Sequence, residues 1–197
     1  MRIRALLFVP ALAAVVLGIG VSGASAATLF TSTAHTTRVS VGTTADATSV
    51  SPIDLTSGSQ LLNRCHSTLQ LALRENSDTR VAIAVTGSSF SNCSGIGPVT
   101  GTHVVPWTLT ITGTGRVVGS FWDYSATADN VVFDLLGGTY TGNLTSGVTI
   151  TQPLVGTSPI CVDLLAAGTV TGPLTGNGRI DGRYCLTGAA AAFSLTN

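Results

Sequence analysis

Lysine is absent from this 197-residue chain, glutamate occurs once, at Glu75, and only 9 % of the residues are charged. Globular proteins carry about a quarter. The nine basic residues are all Arg and face nine acids. Without a basic surplus the chain lacks the surface that neutralises phosphates, which argues against nucleic acid or anionic lipid as a partner. Metal-binding and hydrolase signatures are missing too: there is no H-x-x-H or H-E-x-x-H spacing, no G-x-S-x-G elbow, and no two Cys within four residues of one another. No metal and no cofactor is therefore expected. After residue 76 no helix-length amphipathic run occurs either. What replaces charge is hydroxyl and turn chemistry, with 30 Thr and 23 Gly.

Residues 1–26 read as a secretory signal peptide. Arg2 and Arg4 precede an apolar run from Ala5 to Val21, and Ala24-Ser25-Ala26 fits the small-residue cleavage pattern before Ala27. An uncleaved anchor is the rival, since 17 apolar residues approach the minimum for a span. Pro10, Gly18 and Gly20 weaken such a helix, and no second anchor follows, so no transmembrane segment is expected in the mature chain. That mature chain would hold seven Arg and nine acids, a net charge of −2.

All four Cys lie beyond the leader, and an even count in an exported chain suggests disulfides. Of three pairings, Cys65–Cys93 and Cys161–Cys185 are favoured, because they close separate loops of similar size within local strand pairs.

Along the chain, residues 27–59 are Thr-, Ser- and Ala-rich with few large apolar side chains, and read as a poorly ordered arm holding at most a short strand near Thr37–Val41. Residues 60–197 read as one β-domain. Leu69, Leu71 and Leu73 alternate with polar or small neighbours, a strand period, although Leu61, Leu62, Cys65, Leu69 and Leu73 also fit a helix stripe. The strand is preferred because Glu75–Asp78 makes a turn before Val81, Ile83 and Val85 alternate again. Trp107, Leu109 and Ile111 oppose three Thr, Arg116–Ser125 resumes the pattern after a Gly-Thr-Gly break, and Val131, Phe133 and Leu135 follow. Gly137-Gly138 and Asn177-Gly178 are hairpin signals. Gly119, Gly142 and Gly182 inside strands suggest bulges or close backbone approach. The expected fold class is all-β, an antiparallel sandwich or barrel of about ten short strands.

The stretch Phe90-Ser91-Asn92-Cys93-Ser94-Gly95, followed by Pro106-Trp107-Thr108-Leu109 and two later Cys, resembles a group of small exported actinobacterial proteins with an F-[ST]-N-C-[ST]-G … P-W-x-L … C … C pattern. The resemblance covers about residues 64–187. It implies a disulfide-bonded, β-rich exported protein and brings no assigned activity or catalytic residue.

Among constellations that carry chemistry, aromatics weigh most. If Trp107 and Phe121 point into the core, then Trp122 and Tyr124 point outward, where two aromatic faces suit a sugar ring or a protein anchor. Asp123 joins them only if a bulge turns its carboxylate. The opposing reading buries both aromatic faces, one in the core and one under the arm. Asp123, Asp129 and Asp134 could serve a glycosidase, but Asp129-Asn130 looks like a turn. A Ser/His/Asp hydrolase would rest on His103, since His35 sits in the arm and His66 faces away from Cys65. Arg179, Asp181 and Arg183 form a solvated ladder on one strand face. The sequence thus points to a secreted, non-catalytic structural or binding module of the extracellular space or cell envelope. Its expected partner is cell-wall polysaccharide or an extracellular protein, with a secreted hydrolase or protease inhibitor as alternatives.

Overall fold

The computed structural model of the chain describes residues 27–95, 99–100, 107–135, 138–155, 159–164, 170–171 and 177–196. The leader and His103 lie outside these residues. The described strands are β1 (Thr28–Phe30), β2 (Thr44–Ser49), β3 (Ile53–Ser57), β4 (Gln60–Asn76), β5 (Val81–Gly95), β6 (Val99–Thr100), β7 (Trp107–Ile111) and β8 (Arg116–Val118). They continue as β9 (Phe121–Leu135), β10 (Gly138–Pro153), β11 (Cys161–Asp163), β12 (Val170–Thr171), β13 (Asn177–Asp181), β14 (Arg183–Leu186) and β15 (Ser194–Thr196). A short 3-10 turn, Gly188–Ala192, precedes the last strand, and no α-helix occurs among the described residues.

Eight strands close into an antiparallel barrel in the order β2, β14, β11, β10, β9, β7, β5, β4 and back to β2. Closure removes the exposed sheet edges that invite aggregation. Four strands, β4, β5, β9 and β10, run for 15 to 17 residues and overshoot the barrel at one end. There β3, β13 and β12 bridge β4 to β10, while β6 pairs with the far end of β9. At the other end β8 pairs with the start of β9. A separate two-stranded ribbon, β1 with β15, covers the barrel mouth.

Thr alternation sets the wall. Residues opposite one another across strands share a face, and one inward row reads Tyr124, Ile150, Val162, Tyr184, all buried. A second reads Leu73, Ile83, Leu109, Ala128. Thr127, Thr149 and Thr108 fall on the outer face, which explains a hydroxyl-rich, charge-poor surface.

The long strands bend at bulges built from asparagine. Asn92 (φ 51°) and Asn130 (φ 57°) both occupy the left-handed region, which Asn tolerates better than most side chains. At the first, β5 gains a residue between the Arg64–Ser94 and His66–Ser91 pairs, so that Asn92 and Cys93 together oppose Cys65. The Phe90–Gly95 stretch therefore has a structural reason: it forms the bulge that brings Cys93 to Cys65. At the second, the Asp129-Asn130 turn expected from sequence is a bulge within one continuous β9, its Asn130 N–H donating to Asn143 Oδ1 at 2.8 Å. The disulfides are Cys65–Cys93 and Cys161–Cys185, the expected pairing, and the described residues contain no free Cys.

Two sequence expectations need correction. Residues 27–59 are not a loose arm before a domain starting at 60: β2 pairs with β4 and β14, and β3 forms a hairpin with β4. Ala27, Leu29, Val39, Ala47, Ile53 and Leu55 are all buried. The second correction concerns Asn177-Gly178, which opens β13 opposite Val170 and Thr171 rather than forming the turn itself.

Gly182 answers to the close approach read from its position. A Cβ there would stand 2.3 Å from Ile53 Cγ2 and 2.9 Å from Ile53 Cβ, and Ile53 is fully buried. Gly182→Ala is expected to cost about 1–3 kcal/mol through overpacking. Urea denaturation checks this, and an unchanged midpoint would mean that Ile53 has room to retreat.

Candidate functional site

The region around Phe121–Tyr124 forms one end of the barrel. The sequence reading joins Arg116–Ser125 into one strand. The structure instead turns the chain at Gly119 (φ 59°) and Ser120, making β8 and the start of β9 a hairpin. That turn resets the phase of the alternation, and the faces come out reversed. Phe121 points outward and is 38 % exposed, whereas Tyr124 is buried at 1 % exposure and Trp122 is half-buried against the core. Asp123 lies on the outer face with Phe121, opposite Arg116 and Thr151, and does not join the two aromatics.

Trp122 and Tyr124 nevertheless reach a surface. Together with Thr33, His35, Gln152 and Leu195 they line a groove of about 580 Å³ where the β1–β15 ribbon meets the barrel. Each side chain has a local cause. Gln152 stands directly across from Trp122. Its Oε1 accepts from the Leu195 N–H at 2.5 Å and its Nε2 donates to the Leu195 carbonyl at 3.3 Å, fixing β15 along the groove. Thr33 and His35 come from a tight loop closed by Thr31 N–H to Thr37 C=O (2.9 Å). His35 sits at φ 52° with its ring 5.3 Å from Phe30. Burial pushes the Tyr124 phenol up to about 12. An aromatic floor edged by imidazole, amide and hydroxyl groups suits a neutral, hydroxyl-rich ligand, by stacking and by hydrogen bonding.

On the outer wall a second groove, of about 400 Å³, lies between Phe121, Val50, Pro159 and the Cys161–Cys185 bridge. The two grooves share Pro153 and Val155, a ridge whose Val155 is 88 % exposed. Arg183 sits beside the outer groove, 5.9 Å from the Phe121 ring centroid. Its Nη2 donates to Thr151 Oγ1 at 3.0 Å and its Nε lies 3.7 Å from Asp163. Burial pushes the Asp163 carboxyl above its ordinary range, with Arg183 and Thr151 pulling the other way. Arg179 pairs with Asp181 at 2.8 Å within β13, but Arg183 lies on β14 opposite Asp163, so the three do not form the single-strand ladder read from sequence.

Inside the barrel, next to the first groove, is an apolar cavity of about 60 Å³ walled by Leu71, Leu73, Leu109, Ile111 and Val162 and capped by Leu29, Phe193 and Leu195 of the ribbon end. Two inward alanines, Ala45 and Ala47, leave part of this room. A void of that size lowers stability by about 1.4 kcal/mol at the usual cost per unit volume.

Sequence reasoning found Trp122 and Tyr124 but missed Thr33, His35 and Gln152. Pairing across strands, which brings Gln152 to Trp122, leaves no local trace, and the two loop residues were assigned to the arm. Among the described residues no three His, Cys, Asp or Glu side chains group as metal ligands, and no helix is long and apolar enough to cross a membrane. No protein-family model, curated protein or solved structure matches the chain.

Proposed function

We propose that this protein is a non-catalytic binding module working outside the cytoplasm, exported by the leader at residues 1–26 and holding its ligand in the Trp122 groove. The single observation that carries this reading is that groove: a half-buried tryptophan at the barrel mouth, backed by Tyr124 and edged by hydrogen-bonding side chains. Two disulfides suit an oxidising, extracellular setting. The ligand class that fits the groove is polysaccharide, of the kind displayed by a cell wall. Aromatic anchors at the centre of a binding surface typically account for more than tenfold in affinity.

The test is co-sedimentation of the purified mature chain with cell-wall polysaccharide. The wild-type protein is expected in the pellet, and Trp122→Ala is expected to lower retention tenfold or more with an unchanged circular dichroism spectrum. Equal retention of the two proteins removes the groove as the binding site.

A further inference from the structure

The Trp122 groove and the apolar cavity are neighbours. Leu195 lines both. Tyr124 of the groove is also the direct cross-strand partner of Ile150, which lines the cavity. A surface site edged by polar groups thus adjoins, through the Leu195 side chain, a space in the barrel lined almost wholly by carbon. Eight-stranded barrels are near the size at which the interior either fills with side chains or accepts one small ligand. An apolar void of this kind excludes water and receives apolar guests.

We infer that the ligand is a single-chain amphiphile: a sugar head lying against Trp122 in the groove, with an alkyl tail passing Leu195 into the barrel. This inference rests on the groove reading and extends it by naming the second half of the ligand. Rotation of the Leu195 side chain opens the passage, while the backbone of β15 stays clamped by Gln152. The cavity of about 60 Å³ corresponds to roughly two water molecules, so it takes only the first few carbons of a tail. Longer tails would emerge or be refused.

The experiment is isothermal titration of the mature protein with methyl, butyl, hexyl and octyl β-D-glucosides below their micellar concentrations. Affinity is expected to rise by about fourfold per methylene over the first few carbons and then level off. Ala47→Val fills the cavity without touching the groove. It is expected to raise the melting temperature and flatten the chain-length series, with methyl glucoside binding unchanged. Ala45→Val is the second variant should the first fail to fold. On binding hexyl glucoside, the methyl resonances of Leu73 and Leu109 are expected to shift. Binding that ignores chain length, a series unchanged in the filled variants, or unmoved Leu73 and Leu109 methyls would overturn the tail while leaving the groove standing. Absence of binding by every glucoside, with no effect of Trp122→Ala, would remove both.

Discussion

Replacing Cys65 and Cys93 together by alanine is expected to lower the free energy of unfolding by about 3.5 kcal/mol, and replacing Cys161 and Cys185 by a similar amount. The bridges span 28 and 24 residues, and the chain-entropy cost of leaving such loops open varies only slowly with length. Neither bridge joins distant parts of the fold. Cys161 and Cys185 are direct partners on neighbouring strands, and Cys65 and Cys93 meet at the Asn92 bulge. Their contribution thus lies mainly in restricting the unfolded chain. Cys65 is also fully buried, so its alanine variant loses packed sulfur in addition and should fall at the larger end. Together the two bridges supply about 7 kcal/mol, within the whole stability of an ordinary domain. Fully reduced protein should therefore be largely unfolded at 37 °C. Urea titration of each double variant, and of the wild type with and without reductant, measures this. A loss below 1 kcal/mol per bridge would show that the barrel closes without help.

The second large effect is expected at Asn76, which ties the ribbon to the barrel. Its Oδ1 accepts from the Leu29 N–H at 2.9 Å, and its Nδ2 donates to the carbonyls of Leu29 and Val39 at 2.8 and 3.0 Å. Leu29 and Val39 are buried, so Asn76→Ala strands the Leu29 N–H and the Val39 carbonyl out of reach of water, while the Leu29 carbonyl keeps the Val39 N–H at 3.0 Å. With unmet groups of this kind each costing about 1–3 kcal/mol, and partial relaxation, a total near 2–4 kcal/mol is expected. The loss should be local. Amides of residues 27–39 and 194–196 should exchange faster with solvent, while those in the β4–β5 hairpin keep their protection. Equal acceleration throughout would show that ribbon and barrel open as one unit.

The strands were legible wherever apolar and hydroxyl residues alternate on a half-buried face, as in Trp107–Ile111 and Val81–Val85. Glycine was informative at two positions: Gly142 borders a register shift in β10, and Gly182 receives Ile53. Two things were not legible, each for a physical reason. Alternation gives two faces but no sign, and the sign was carried from Trp107 across a hairpin turn at Gly119-Ser120 that reads like strand. Hence Trp122 and Tyr124 were placed outside and Phe121 inside. Strand length was also hidden. A bulge at an asparagine looks like a turn, so the 15 residues of β9 and the 16 of β10 each read as two short runs, and β4 and β5 read as shorter than their 17 and 15 residues. The early segment was missed because Ala27, Ala45 and Ala47 are too small to signal a buried face, and Ile53 and Leu55 are only two.

The ribbon has a consequence in time. Its strands, Thr28–Phe30 and Ser194–Thr196, come from opposite ends of the described chain, the costliest kind of contact to form early because the intervening loop must first be ordered. The local hairpins β4–β5 and β9–β10 should assemble well before it. A nascent barrel would then pass through a stage with an uncovered mouth, its apolar lining open to solvent until the two ends of the described chain meet.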